Sequence, residues 1–247
     1  MRRTKARIYD EVSQIYEGLM GDIDYNDWAN YILDIFNDTV NNGKDVLELA
    51  AGTCKISSVL QKHFSSLVAT DISFPMLSYR KLPQINKVCC KMNELPFNNK
   101  FDFVYSTFDS VNYLLTKKEL LKLFLEIKRI LKGNGIYTFD VSLEKNSFDF
   151  IVPETIEAEY NGIKYKRISK YNVNTRIHKN KFEIIKPDGK KIREIHKQKI
   201  HKFETYFDLI EKAGMYVVEC LETFTFNNGN SSSERVQFVI KTDRSKC

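Results

Sequence analysis

Apolar positions along this chain recur with two different periods, and the change of period divides it. Between residues 4 and 42, the side chains Ile8, Val12, Ile15, Tyr16 and Leu19, and then Trp28, Tyr31, Ile32 and Ile35, keep the three-to-four spacing of a helix face. The polar stretch "MGDIDYNDW" separates them into two helices, with Asp24 or Asn26 as N-cap of the second. Short apolar runs follow: "DVLEL", "SLVATDIS", "KVCCKMN", "FDFVYSTF" and "IYTFDVS" read as five strands. Helices are predicted from about Lys55 to Phe64, from near Pro75, and over "KKELLKLFLEIKRIL", which leads into the turn "KGNG". This alternation predicts an α/β fold with a doubly wound, mostly parallel sheet covered on both faces.

From Glu157 to about Phe203 the period becomes two, in "IKYKRISKYNV" and "KFEIIKPDGKKIREIHKQKIHKF", with a hairpin turn at "KPDGK". This is an antiparallel β insert. A last helix, "ETYFDLIEKAG", stops at Gly214 and precedes two strands, "MYVVECLETFTF" and "ERVQFVIK", which bring the main sheet to seven. The expected organisation is an N-terminal helical lid over 1–42, a ligand-binding core over 43–150, the insert over 151–203, and a closing helix and strands over 204–247.

Composition narrows the class. With 247 residues, 43% of them hydrophobic, the chain can bury a substantial core. No run of about 18 apolar residues occurs, and "MRRTKARIYDEVSQIY" lacks an apolar signal segment, so no membrane association and a cytoplasmic location are expected. Cysteines at 54, 89, 90, 220 and 247 form no C-x-x-C pair, which points to reduced thiols and no metal. The net charge of +6 is concentrated: residues 151–202 hold 14 Lys or Arg against 6 Asp or Glu, while the remainder is slightly acidic. A lysine-rich strand face serves solubility, or it attracts an anionic partner such as a phosphorylated small molecule or an RNA.

The loop after the first strand carries the candidate chemistry. In a doubly wound sheet, ligands sit beyond the carboxyl ends of the strands, near the point where strand order reverses. A dinucleotide site there needs G-x-G-x-x-G, but in "DVLELAAGTCKISSVL" those positions read Ala50, Gly52 and Lys55, and Lys55 would crowd the helix against the strand. No G-K-[ST] follows, so a Walker loop is excluded. Glu48 ends an otherwise apolar strand, and a buried carboxylate calls for a cation. Asp71 closes the second strand 19 residues after Gly52, near the offset at which an acid meets a ribose diol. A ligand with an amino group and a ribose but no pyrophosphate suits both, and S-adenosylmethionine meets that description.

"VLELAAGTC" and "VATDIS" resemble the first two motifs of the class I S-adenosylmethionine-dependent methyltransferases, and "MNELPF", "FDFVYSTFDSVNYL" and "FLEIKRILKGNGIYTFDV" resemble the segments around their third to fifth strands. "IYDEVSQIYEGLMGDIDYNDWANYI" and "EIHKQKIHKF" are similar to a bacterial small-molecule branch related to sugar N-methyltransferases. The resemblance implies a Rossmann-like sheet and S-adenosylmethionine as cofactor. It places Glu48 near the methionine amine with the backbone of Ala50 and Gly52 beside it, Asp71 on the ribose, Ile72 over the adenine, Met92 and Asn93 at its edge, and Phe108 along the methionine arm. Ala50 and Cys54 stand where the family has glycines, a costly substitution if those backbones need positive φ. Lys91 replaces a common Asp and cannot accept a bond from the adenine amino group.

Methyl transfer is a direct displacement in which the protein aligns nucleophile, methyl and sulfur. The resemblance implies that Tyr9, Tyr16, Tyr25 and Trp28 form a lid, with Tyr16, matched to a tyrosine near the active site of relatives, the catalytic candidate; packing in the core is the alternative role for each of these aromatics. His196, ranked ahead of His201 by its similarity to a recurrent His of the related branch, is the candidate base facing the acceptor; a structural or solvated His is the alternative. Asp109, Ser110, Asn112 and Tyr113 follow the fourth strand; Asp109, Asn112 and Tyr113 are the candidate substrate contacts, although Asp109 or Ser110 alternatively caps the next helix. The expected acceptor is an N or O atom of a small polar metabolite, with the insert as its wall. The alternatives are an RNA methyltransferase using the basic insert and a non-catalytic domain that only binds the cofactor.

Overall fold

A computed structural model describes residues 8–40, 43–98 and 100–242. In chain order the elements are α1 (Tyr16–Leu19), α2 (Tyr25–Thr39), β1 (Asp45–Leu49), α3 (Lys55–Leu60), β2 (Ser66–Asp71), α4 (Phe74–Ser78), β3 (Asn86–Cys89), β4 (Phe101–Ser106), α5 (Lys117–Ile130) and β5 (Leu131–Ser142). There follow β6 (Glu154–Tyr160), β7 (Ile163–Asn172), β8 (Ile177–Ile185), β9 (Lys191–Lys199), α6 (Phe203–Lys212), β10 (Met215–Glu222) and β11 (Arg235–Thr242).

The main sheet has seven strands in the order β3-β2-β1-β4-β5-β11-β10. β1 to β5 are parallel, and β11 joins β5 and β10 antiparallel, so the sheet is mixed but mostly parallel. The interiors of β1, β4 and β5 are buried on both faces, which is why they read as continuous apolar runs. One face packs on α5 and α6 through residues such as Leu123, Ile127, Tyr206 and Ile210, and the other on α2 and α3 through Ile32, Ile35, Ile56 and Leu60. The turn expected at "KGNG" lies within β5 as an irregularity: Phe101 pairs with Leu131 but Phe103 with Ile136, so Lys132–Gly135 project out of the ladder. No helix among the described residues is long and apolar enough to cross a membrane.

β6 to β9 form a separate four-stranded antiparallel meander, with Gly189 at φ 79° in the "KPDGK" turn. The inner face of this sheet packs Ile163, Tyr165, Phe182 and Ile184 against Val12 and Ile15 of the N-terminal segment, making a third, smaller core.

The N-terminal region differs from the expected pair of helices. Asp24 does cap α2, accepting from the N–H groups of Asn26 at 2.8 Å and Asp27 at 3.3 Å. The first helix is reduced to a 3-10 turn at Val12–Gln14 and the single turn α1, while residues 4–7 and 41–42 lie outside the described residues. The reason is tertiary: Tyr9 has φ 62°, which no helix accepts, and the backbone donors of Tyr9, Glu11 and Val12 are taken by the side chain of Glu194.

Candidate active site

β1 has β2 on one side and β4 on the other, so strand order reverses there. Beyond the carboxyl ends of these strands lies a cavity of about 390 Å³, within the range typical of cofactor and small-ligand sites. It is lined by the loop after β1, the ends of β2 and β4, residues 90–94, Ile8 and Tyr9, α1 and the start of α5.

The loop after β1 places three residues in the left-handed region: Ala50 at φ 53°, Gly52 at 55° and Cys54 at 60°. Only one of the three is glycine, so the strain anticipated for Ala50 and Cys54 is present, of the order of 1–2 kcal/mol per residue. Gly52 is also constrained sterically, because a Cβ there would come within 3.2 Å of Met76 Cε. Asp71 holds the loop in place: its Oδ2 accepts the Gly52 N–H at 2.9 Å and its Oδ1 the Ser73 N–H at 2.8 Å. Both carboxylate oxygens retain lone pairs for a ligand, and Asp71 lines the cavity.

Glu48 lies on the cavity wall but is only 1% exposed. Its carboxylate accepts the Ser57 hydroxyl and lies beside that of Tyr105, and no cation pairs with it among the described residues. Burial pushes its pKa up to about 8, so at neutral pH it is largely protonated. Lys55 does not crowd the strand. It turns toward the lid, 2.6 Å from Glu17 and 4.2 Å above the Tyr25 ring. Lys91 pairs with Glu94 at 3.1 Å, and both line the cavity together with Met92 and the buried Asn93. Ile72, 48% exposed, lies at the rim.

The cavity is also lined by Tyr9, Tyr16, Tyr25, Phe108 and Tyr113. The Tyr9 and Tyr113 hydroxyls are 2.6 Å apart, Tyr113 Oη is 3.4 Å from His196 Nδ1, and His196 Nε2 is 2.7 Å from Glu194 Oε1. Burial raises the pKa of Tyr9, Tyr16 and Tyr113 above that of an ordinary phenol, so all three stay neutral. Neutral phenols are hydrogen-bond relays, not bases.

Several expected contacts do not reach the cavity. His196 is 2% exposed and lies behind Tyr9 and Tyr113, its ring 4.4 Å from that of Tyr9, so it does not face an acceptor directly. Asn112 is fully buried; its amide is consumed by the backbone of Ser142 at 3.1 Å and Lys199 at 3.0 Å. Asp109 pairs with Arg235 at 3.1 Å and accepts from Gln198 at 2.6 Å, and it caps no helix; α5 is capped by Thr116 with Glu119. Trp28 packs in the core against Phe108 and Phe224. No residue of 151–203 is on the cavity wall, because the N-terminal segment lies between the insert and the cavity.

Three groups were not read from the sequence. Ser57 and Tyr105 surround Glu48, and Arg235 bridges Asp109 and the buried Asp140 behind the Phe108–Asp109 turn. Glu194 is the third, and its signal was its position two residues before His196 on a strand, which puts both side chains on one face.

Residues 47–139 match the family model for a methyltransferase domain. A Geobacillus sp. (strain WCH70) protein that bears the name of a methyltransferase, with no activity stated, is 28% identical over 94% of this chain and 99% of its own length. The crystal structure of an S-adenosylmethionine-dependent methyltransferase from Clostridium acetobutylicum superposes with a TM-score of 0.78 at 21% identity, over 96% of this chain and 99% of that one. A sugar N-methyltransferase from Streptoalloteichus sp. gives a TM-score of 0.77 at 19% identity, over 98% of this chain and 95% of that one. Residues 47–139 are therefore a methyltransferase domain, and the chain has the fold of the S-adenosylmethionine-dependent methyltransferases.

Proposed function

We propose that this enzyme transfers the methyl group of S-adenosylmethionine to a nitrogen or oxygen atom of a small polar metabolite. The observation that carries the reading is Glu48, a buried carboxylate facing a cavity and met only by neutral hydroxyls. A ligand ammonium would supply the missing cation. The cavity also suits the rest of the cofactor: Asp71 offers lone pairs to the ribose hydroxyls, Ile72 covers the adenine, and Met92 and Asn93 border it. Ala50 and Gly52 give backbone beside the methionine end, and Phe108 runs along its arm.

The bound cofactor supplies an electrophilic methyl group. The chain's own work is alignment, exclusion of water and removal of one proton from the acceptor. Tyr16 is held against Gly52, 3.9 Å from where a Cβ would stand, and closes the reacting end. Tyr9 and Tyr113 present neutral hydroxyls to an acceptor N–H or O–H. With Nε2–H donated to Glu194, His196 Nδ1 carries a lone pair, so a proton taken up by Tyr113 passes on to His196 as Tyr113 gives up its own. The imidazolium formed is then stabilised by Glu194.

Calorimetry with S-adenosylmethionine and S-adenosylhomocysteine tests the cofactor site, and absence of binding of either at millimolar ligand would reject it. Glu48→Gln and Asp71→Ala are each expected to weaken binding by about 1–3 kcal/mol. A methyl-transfer screen against amino sugars, amines and phosphorylated metabolites then identifies the acceptor.

A second reading is supported by one feature of the outer face of the insert. Lys170, Lys179 and Lys197 lie directly opposite one another across β7, β8 and β9, all exposed and without ion pairs among the described residues. Like charges in register destabilise a sheet, so an RNA phosphate backbone bound there would relieve them. Salt-sensitive RNA binding lost on Lys-to-Glu substitution of the row would favour this reading, and its absence would count against it.

A further inference from the structure

The antiparallel insert has no side chain in the cavity, yet it grips the segment that closes the cavity. Glu194, 2% exposed on the inner face of β9, accepts the backbone N–H of Tyr9, that of Glu11 at 3.0 Å and that of Val12 at 3.2 Å, in addition to His196. A second tie lies outside: Lys186 Nζ is 2.6 Å from the carboxylate of Glu11. Val12 and Ile15 are seated in the small core on the same sheet. On its other side the segment contributes Ile8, Tyr9 and Tyr16 to the cavity wall, and Ser73 beside Asp71 donates to the Tyr9 carbonyl at 3.0 Å.

We propose that Glu194 is a latch that holds the 8–16 segment closed over the bound cofactor, so that cofactor and product exchange requires its bonds to the Tyr9–Val12 backbone to break. Glu194 is thus a positioning residue. A carboxylate collecting three backbone donors from a chain segment 182 to 185 residues away orders that segment where its own sequence forms only a turn. The same bonds fix the left-handed backbone of Tyr9, which directs its phenol to Tyr113. The insert is accordingly the seat of the lid. The part concerning exchange rests on the assignment of the cavity to the adenosyl cofactor.

The test uses S-adenosylhomocysteine as probe on the immobilised full chain, with association and dissociation rates read by surface plasmon resonance. Hydrogen exchange of the residue 9–12 amides is followed in parallel. Glu194→Ala and Glu194→Gln should speed dissociation about tenfold or more, the effect of losing one charge-assisted bond from the closed state, with association altered less than about threefold. Lys186→Glu, at a partly exposed pair, should act in the same direction by a smaller factor, and it decides the matter if the Glu194 variants do not fold. The 9–12 amides should lose protection in each variant. Wild-type protein that binds the probe, with dissociation and exchange unchanged in the variants, would overturn the latch. Wild-type protein that does not bind the probe overturns the cofactor assignment instead, and exchange of the 9–12 amides in the free variants then decides the latch alone.

Discussion

The Glu48 carboxylate accepts the hydroxyl of Ser57 at the end of β1, a buried acid held by a neutral partner on the wall of the cavity. Its pKa of about 8 ties cofactor binding to a proton. At pH 7 a group with that pKa is about nine-tenths protonated, and pairing with a ligand ammonium requires the carboxylate. Calorimetry at pH 7 in two buffers of different ionisation enthalpy should therefore report nearly one proton released per S-adenosylhomocysteine bound. Glu48→Gln should release none. Binding to wild type without proton release would mean that Glu48 does not give up a proton to meet the amino group.

The same residue makes a stability prediction for the free protein. The folded pKa of Glu48 lies above its unfolded value of about 4.3, so its contribution is fully present below that value and is lost as pH rises toward 8. Glu48→Gln removes the titration while keeping a hydrogen-bonding amide. The variant should gain Tm relative to wild type as pH is raised from 5 to 8, and thermal melts at both ends check the sign.

The strained loop separates into two cases. Ala50 is partly exposed at the cavity, whereas Cys54 is fully buried in the core beneath α3. Ala50→Gly relieves left-handed strain and is opposed by the extra entropy of an unfolded glycine, so stability should be unchanged or rise by up to about 1 kcal/mol. Cys54→Ala keeps the strain and loses packing, and should cost about 1 kcal/mol. Urea denaturation of both variants distinguishes them.

These residues also mark what the sequence makes legible. Period and register are local, so the parallel strands, the antiparallel meander and the positions of Glu48 and Asp71 at strand ends could be read directly. The N-terminal helix could not, because Ile8 to Leu19 keep helical spacing while Glu194, far along the chain, binds the backbone N–H groups of Tyr9, Glu11 and Val12 with Tyr9 at a left-handed φ of 62° that no helix accepts. His196 was legible as an inward residue of its strand but not its depth, which is set by Tyr9 and Tyr113 from two other segments. Asp109 and Asn112 looked available in the sequence because their partners come from β5, β9 and β11.

The relay behind the tyrosines predicts a selective loss of turnover. Tyr113→Phe removes the hydroxyl between Tyr9 and His196, and His196→Ala removes the proton sink, while the residues assigned to the cofactor are untouched. With an acceptor found by the screen, each substitution should lower kcat by about 10²-fold or more, as for loss of a general base, and change the S-adenosylmethionine Kd less than twofold. If kcat is unchanged in both, the proton leaves by another route.

Arg235 controls the turn that carries Phe108. Its guanidinium bridges Asp109 and the buried Asp140, and Asp140 also accepts the Asp109 N–H at 2.8 Å, pinning two consecutive left-handed residues, Phe108 at φ 58° and Asp109 at 46°. Burial raises the pKa of Asp140 to about 6 even with Arg235 opposing it. Arg235→Leu leaves two carboxylates without their cation and should destabilise the fold by about 3 kcal/mol at pH 7.5. Without Arg235 the folded pKa of Asp140 rises further, so the uncompensated charge can be removed by protonation, and the deficit relative to wild type should shrink as pH falls toward 5. Arg235→Lys keeps the charge but cannot bridge both acids with a planar fork, so it should recover only part of the loss. Denaturant titrations of the three proteins at both pH values test this, and a deficit for Arg235→Leu that is the same at pH 5 and 7.5 would show that the loss is one of packing and not of charge.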